Sequence, residues 1–292
     1  MNNLISKVSE KSFAKLNLAL DIISRLENGY HELSMIMQSI ELCDFVAIER
    51  REDGEIQISC DKDFIPINEQ NIAFKAANAF MTEFGEPFGI SIDIQKNIPA
   101  GGGLAGGSSN AASVLIGLNK LANFPFDNET LMRIGKTVGA DVPFCIAAQL
   151  AKGEFCALAT GIGEKLTQIE NKIDVTYVLV KPKFSISTKW AFENVDISKM
   201  SKHPNIDAVI EGLNTDDVDM ISKNMANVLE RVVAARYPLI EKLKNDMRNF
   251  GCKFCLMSGS GSTVFGAFDN QRKAFKAFEH FDKTQEFAWI GK

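Results

Sequence analysis

With 292 residues, 46% of them hydrophobic and 24% charged, the chain is long enough for two ordinary globular domains and has ample material for their cores. A net charge of −5 without any block of Lys or Arg argues against a nucleic-acid polymer or an anionic membrane as the main partner, and leaves a small charged molecule open. The stretch from Met1 to Lys15 has scattered charges and no apolar block, which predicts no signal peptide, and no apolar run is long enough to span a bilayer. Six cysteines, Cys43, Cys60, Cys145, Cys156, Cys252 and Cys255, are dispersed through apolar segments, so reduced core thiols and a cytoplasmic setting are expected. Cys252 and Cys255 form a lone CxxC; without a second pair, and with only three histidines in the chain, it does not read as a zinc site.

From Phe13 to Asp21, Ala14, Leu16, Leu18 and Leu20 alternate with Lys15, Asn17 and Asp21. This period of two predicts a strand with one apolar face, Lys15 and Asn17 sharing the other; on alternation alone that face is solvated. Asn28-Gly29 marks a turn, followed by Tyr30-His31-Glu32 and an apolar stretch over 33–42. Segments 45–49 and 55–60 read as a hairpin across Arg51-Glu52-Asp53-Gly54. Asn71 caps a helix striped by Ala73, Ala76, Ala77, Phe80 and Phe84 and stopped by Gly85. Ile90, Ile92 and Ile94 then alternate with polar residues, predicting a strand that leads into a loop.

That loop, Pro99-Ala100-Gly101-Gly102-Gly103-Leu104-Ala105-Gly106-Gly107-Ser108-Ser109-Asn110, has five glycines in seven positions. Their backbone can adopt positive φ, approach a ligand closely and turn its N–H groups toward an anion. Ser108, Ser109 and Asn110 are expected to cap the helix that Ala111, Ala112, Val114, Leu115, Leu118 and Leu121 continue, so a phosphate would sit at a helix N-terminus. A Walker A loop is excluded, because Ser108 rather than Lys follows Gly107, and because Gly135-Lys136-Thr137 has Thr130 where the motif needs its earlier glycine. Gly101, Gly103 and Gly106 match the dinucleotide fingerprint, but a second helix opened by Asp127 follows where that motif needs a parallel strand. A glycine turn without a ligand is the remaining reading, disfavoured by the backbone entropy so many glycines cost.

The second helix carries Leu131, Ile134 and Val138 and ends at Gly139. Asp141 follows among apolar neighbours, between a Gly and a Pro, and reads as a turn former or a functional carboxylate. Gly161-Ile162-Gly163-Glu164 is taken as the hand-over between a domain over 1–160 and one over 161–292. The second half orders as strand 175–180, helices 188–194, 205–213, 216–236 and 238–250, strand 253–257, a glycine turn 258–262, strand 263–268, helix 271–281 and strand 287–290. That is the order of a split βαβ, ferredoxin-like domain.

Three separated stretches, the loop 99–109, the strand 13–20 and the late turn 257–268, resemble the three motifs of the GHMP kinases, named for galactokinase, homoserine kinase, mevalonate kinase and phosphomevalonate kinase. Within them, Ala14-Lys15-Leu16-Asn17-Leu18, Asn28-Gly29-Tyr30-His31-Glu32-Leu33 and Gly139-Ala140-Asp141-Val142-Pro143 resemble one branch. Its acceptor is the 2-hydroxyl of 4-diphosphocytidyl-2-C-methyl-D-erythritol, in the non-mevalonate route to isoprenoid precursors. The resemblance implies a two-domain α+β fold, with an N-terminal ATP-binding domain over 1–160 and a smaller ferredoxin-like C-terminal domain over 161–292. It implies ATP and Mg2+, and transfer of the γ-phosphoryl group to a small-molecule alcohol.

Residue by residue, the resemblance makes Lys15 and Asp141 catalytic. The chemistry needs a carboxylate to accept or orient the hydroxyl proton and a cation to offset the negative charge of phosphoryl transfer. Pro99, Ala100, Gly101, Gly102, Gly103, Leu104, Ala105, Gly106, Gly107, Ser108 and Ser109 become the ATP phosphate site, with Ser108 or Ser109 beside Mg2+ and no residue assigned as a dedicated metal ligand. Asn17, Tyr30, His31 and Phe192 fall to the substrate: an aromatic ring to stack the cytosine, an imidazole to read its polar edge, and Phe192 as an opposing ring, for which core packing weighs equally. The turn 258–262 either presents N–H groups to phosphates or braces the first loop. Family members often have Gly where Ala105 stands. Two alternatives stay open. Another GHMP kinase, acting on homoserine, mevalonate or a sugar, would have no use for the Tyr30-His31 segment; a catalytically silent nucleotide-binding regulator would not need both Lys15 and Asp141. The sequence carries no signal for oligomeric state.

Overall fold

A computed structural model describes residues 6–27, 29–196 and 202–292, so Asn28 of the predicted turn lies outside the described residues. The chain forms two compact units that interleave along the sequence. The first comprises Met1–Ala14, Leu42–Ile98 and Ala105–Glu154, the second Lys15–Glu41, Pro99–Leu104 and Phe155–Lys292. The exchange follows from two long strands, β1 (Lys7–Arg25) and β2 (His31–Arg51), which pair with each other and each contribute residues to both units. The glycine loop is divided too, at Leu104 and Ala105.

In the first unit the outer half of β2 pairs antiparallel with β4 (Gly89–Gln95), placing Val46 opposite Ile94 and Ile48 opposite Ile92. β3 (Ile56–Cys60) pairs parallel with the other edge of β4. The expected hairpin between 45–49 and 55–60 is therefore absent, because β4 lies between the two strands. A parallel β3–β4 pair requires a crossover, which α1 (Ile72–Phe84) supplies. The turn residues Arg51 to Gly54 gave a strong local hairpin signal, but the three isoleucines of β4 are buried by being central, and no local pattern reports that.

Asn71 caps α1 by accepting from Ala73 N at 2.9 Å, and Gly85 ends it in the left-handed conformation. Three further helices follow: α2 (Gly106–Leu121), α3 (Asn128–Val138) and α4 (Val142–Leu150). With α1, their apolar stripes bury Phe80, Ala111, Val114, Leu115, Leu118, Ile134 and Ile146 against Val46, Ile48 and Ile92. α4 was not expected. Asp141, read as a turn former or a functional carboxylate, stands at its N-terminal boundary, where Pro143 is tolerated because a first-turn N–H has no intrahelical partner.

In the second unit the inner half of β2 pairs with β5 (Cys156–Gly161), which pairs with β6 (Lys165–Gln168). Gly161-Ile162-Gly163-Glu164 forms the turn of the β5–β6 hairpin, closed by Ile162 N donating to the Glu164 carboxylate at 2.8 Å. A second sheet, wholly antiparallel, orders β10 (Phe287–Gly291), β7 (Thr176–Lys181), β9 (Val264–Phe268) and β8 (Phe254–Met257). Counted along the chain this is fourth, first, third, second, the ferredoxin-like arrangement that the element order predicts. α5 (Thr188–Glu193), α6 (Ile206–Thr215), α7 (Val218–Asn224), α8 (Glu230–Arg236) and α9 (Leu239–Asn249) lie between β7 and β8 in sequence, and α10 (Gln271–Thr284) between β9 and β10. The single helix expected over 216–236 is broken. Met225 is extended at ψ 144°, and Leu20 of β1 bonds the backbone of Ala226 and Val228. Among the described residues no helix is long and apolar enough to cross a membrane.

Phe80 is fully buried in the first unit and meets Phe126 edge-on at 5.2 Å between ring centroids. Phe80→Ala is expected to cost about 3–5 kcal/mol of stability, read as a lower midpoint in urea unfolding.

Candidate active site

Alternation along β1 does put Lys15 and Asn17 on one face, but that face is not solvated: they are 5% and 1% exposed. A buried ammonium must be surrounded by oxygen acceptors. Lys15 Nζ donates to Asn17 Oδ1 and, at 3.1 Å, to the Gly103 carbonyl. Ser258 Oγ donates to the same carbonyl at 3.0 Å while accepting from Asn17 N at 3.3 Å. Lys15 N donates to Leu104 O and Thr263 N to Gly102 O, both at 3.2 Å. Within the second unit, then, the late turn braces the first half of the glycine loop, one of the two roles the sequence left open. Gly103 has φ 76°, and a Cβ built there would lie 2.1 Å from Ser258 O. Only glycine fits.

The second half of the loop belongs to the first unit. Ala105, at φ 56°, is the N-cap of α2 and offers no side-chain acceptor, so the first amides of that helix carry the positive end of its dipole without a side-chain cap. Ser108, Ser109 and Asn110, expected as caps, lie instead inside α2, as its third, fourth and fifth residues. Ser109 is buried, with Oγ donating to Phe13 O at 2.7 Å and accepting from Gln149 Nε2 at 3.3 Å. Its hydroxyl is committed, which leaves Ser108, half-buried at the same turn, as the hydroxyl available to a phosphate or its counter-ion. Ser108 Oγ lies 3.9 Å from the Cβ position of Gly139, so the segment leading to Asp141 packs beside the start of α2. Asp141 itself is half-buried.

Two residues the motif search missed, Asp44 and Lys96, hold this half of the loop together with Asn110. Asp44, fully buried, accepts from Asn97 N and Ile98 N, both at 2.7 Å, with one oxygen. Its other oxygen takes Lys96 Nζ and, at 2.8 Å, Asn110 Nδ2, while Asn110 Oδ1 accepts from Lys96 Nζ at 3.0 Å. The network ties the residues entering the loop to the first turn of α2. Its signal was an Asp within the apolar run Leu42-Cys43-Asp44-Phe45, a position where an acid is rare unless paired.

The rings expected for base recognition divide. His31 stacks on Phe192 with centroids 5.4 Å apart and planes 25° from parallel, so Phe192 opposes His31. Tyr30 is 59% exposed. Partial burial first, and the nearby Arg25 charge second, hold the His31 imidazole below its ordinary pKa. For metals, no group of three or more His, Cys, Asp or Glu is found among the described residues. A kinase Mg2+ needs no such cage, since phosphate oxygens and one or two protein groups suffice.

Residues 71–149 match the GHMP kinases N terminal domain and residues 203–285 the GHMP kinases C terminal description. The 4-diphosphocytidyl-2-C-methyl-D-erythritol kinase of Clostridium perfringens is 46% identical over 272 residues, 92% of this chain and 91% of the relative. The chain belongs to this branch of the GHMP kinases. A kinase of the same name from Acetivibrio thermocellus is 45% identical over 281 residues, 96% of this GHMP kinase and 97% of the relative. Among solved structures, a 4-(cytidine 5'-diphospho)-2C-methyl-D-erythritol kinase superposes with a TM-score of 0.81 at 30% identity, covering 97% of this chain and 98% of that one. Homoserine kinase from Cytophaga hutchinsonii shares the fold, with a TM-score of 0.77 at 16% identity over 100% of this chain and 96% of that one.

Gly103→Ala would drive its new methyl into Ser258 O, forcing the loop off its brace. Its kcat/KM for ATP is expected to fall by about 100-fold, the scale for a small displacement of catalytic groups, with an unchanged far-UV circular dichroism spectrum; steady-state ADP production measures it.

Proposed function

We propose that this GHMP kinase phosphorylates the 2-hydroxyl of 4-diphosphocytidyl-2-C-methyl-D-erythritol in isoprenoid precursor synthesis. The observation that carries the reading is the Lys15 ammonium seated on the Gly103 carbonyl of the glycine loop, in a chain similar nearly end to end to kinases of that name. ATP, when bound, supplies the γ-phosphoryl group: the acceptor oxygen bonds its phosphorus, the β–γ bridging bond breaks, and ADP leaves. The glycine loop and the α2 N-terminus fit that triphosphate, since the loop backbone holds positive φ at Gly101, Gly103 and Ala105 and the first α2 amides lack a side-chain cap. Mg2+ would be held by phosphate oxygens and Ser108, neutralising charge on the transferring group.

Asp141 is assigned as the base that takes or orients the acceptor proton, and Lys15 as the cation that stabilises the oxyanion character of the attacking hydroxyl. Asn17 orients Lys15 through its Oδ1. Tyr30, His31 and Phe192 are assigned to cytidine, with the base stacking on an outer ring face, because His31 and Phe192 already stack on each other. Residues 1–160 are assigned as the nucleotide-holding domain and 161–292 as the substrate side. The six cysteines, three of them buried and none in a disulfide, favour a reducing cytoplasmic setting.

Phosphorus NMR of the product from ATP and the diphosphocytidyl alcohol should show a new phosphomonoester; homoserine and mevalonate, offered in parallel, should give none. Asp141→Asn should lower kcat by about 10²–10⁴-fold while ATP affinity by calorimetry is kept, and normal turnover would refute the assignment. Because burial and the Arg25 charge lower the imidazole pKa of His31, it protonates at a lower pH than an ordinary histidine and is neutral on the alkaline side. The acceptor KM should therefore be flat at alkaline pH and rise on acidification through the acidic range, a rise that His31→Gln removes.

A further inference from the structure

The Ser258–Gly259 turn is set by a segment outside the three motifs. α7 ends at Asn224 and α8 begins at Glu230, and between them the backbone runs against the strand that carries Lys15. Leu20 N donates to Ala226 O at 2.9 Å and Val228 N to Leu20 O at 3.0 Å, a parallel bridge that sets Asn227 opposite Leu20. Asn227 is 5% exposed, and its amide is fully engaged. Nδ2 donates to Met257 O at 2.8 Å and to Gly259 O at 2.7 Å, and Oδ1 accepts from Leu229 N at 3.0 Å. Two carbonyls flanking Ser258 are thus gripped by one side chain. Glu230 adds a third anchor: one carboxylate oxygen accepts from Met257 N at 2.8 Å, and the other pairs with the buried Lys244 ammonium.

What this turn touches gives the grip its consequence. Ser258 Oγ bonds the Gly103 carbonyl that also takes Lys15 Nζ. The Cβ position of Gly259 lies 3.3 Å from Lys15 Nζ, 3.3 Å from Asn17 Oδ1 and 3.2 Å from Gly103 O, so the turn backbone forms one wall around the ammonium. A shift of the turn moves that wall.

We infer that Asn227 is a positioning residue for phosphoryl transfer, holding the Ser258–Gly259 turn where it seats the Lys15 ammonium against Gly103 O and Asn17 Oδ1. The inference rests on the proposed role of Lys15. Steady-state ADP release, measured for the full-length enzyme well below each variant's melting midpoint, compares wild type with Asn227→Ala, Lys15→Ala and Leu243→Ala. Leu243 is a buried core residue of α9, and its truncation loosens the same unit without touching the amide. Asn227→Ala should lose about 10- to 100-fold in kcat, as a misplaced catalytic group does, with both KM values within about twofold of wild type. Leu243→Ala should keep its kcat. Adding Ser258→Ala to Asn227→Ala should cost no more than the larger single loss, because both act through one turn. If the alanine variant does not fold, Asn227→Ser, which keeps a hydroxyl donor, should show a smaller kcat loss of the same kind. A wild-type kcat in the Asn227 variants, an equal loss in Leu243→Ala, or additive losses in the double variant would overturn the inference alone when Lys15→Ala is inactive. Full turnover by Lys15→Ala would instead remove the role of Lys15 and the inference with it.

Discussion

A lysine ammonium buried to 5% exposure has to be met by oxygen on every side, and meeting that demand organises the second unit. Asn17 supplies a side-chain oxygen and Gly103 a carbonyl. Gly103 can present that carbonyl only because it lacks a side chain and its backbone takes positive φ. Ser258 shares the carbonyl, which brings the late turn to the loop, and Asn227 and Glu230 fix the turn in place. Three sequence motifs and one unremarked segment therefore answer to a single charge.

The first unit solves a parallel problem with a different group. There the buried charge is the Asp44 carboxylate, and its partners are two loop amides, the Lys96 ammonium and the Asn110 amide. Each partner lies on a flank of the glycine loop, so satisfying one carboxylate also fixes how the chain enters the loop and where α2 begins. Ser109, facing away into the unit, adds a bond to the strand residue Phe13. The backbone of the glycine loop is thus held at its flanks by buried, hydrogen-bonded side chains of this unit.

Much of this was legible from local pattern. The caps at Asn71 and Asp127, the stop at Gly85, the strand into the loop and the element order of the second sheet all depend on residues close in sequence. The motifs carried the family. What escaped depends on distant partners: β4 entering between β2 and β3, the helix broken at Met225 to meet Leu20, and the burial of Lys15 under a turn from the far end of the chain. Ser108, Ser109 and Asn110 were misjudged because Ala105, not a hydroxyl residue, occupies the helix boundary in a left-handed conformation that composition does not favour.

That boundary alanine has a cost and a return. An L-residue held left-handed gives up about 1–2 kcal/mol relative to its preferred basins, a loss offset here by the packing of a partly buried Ala105 against the core of the first unit. The same methyl denies this position the broad range of backbone angles a glycine would sample. The loop backbone is consequently stiffened at this residue.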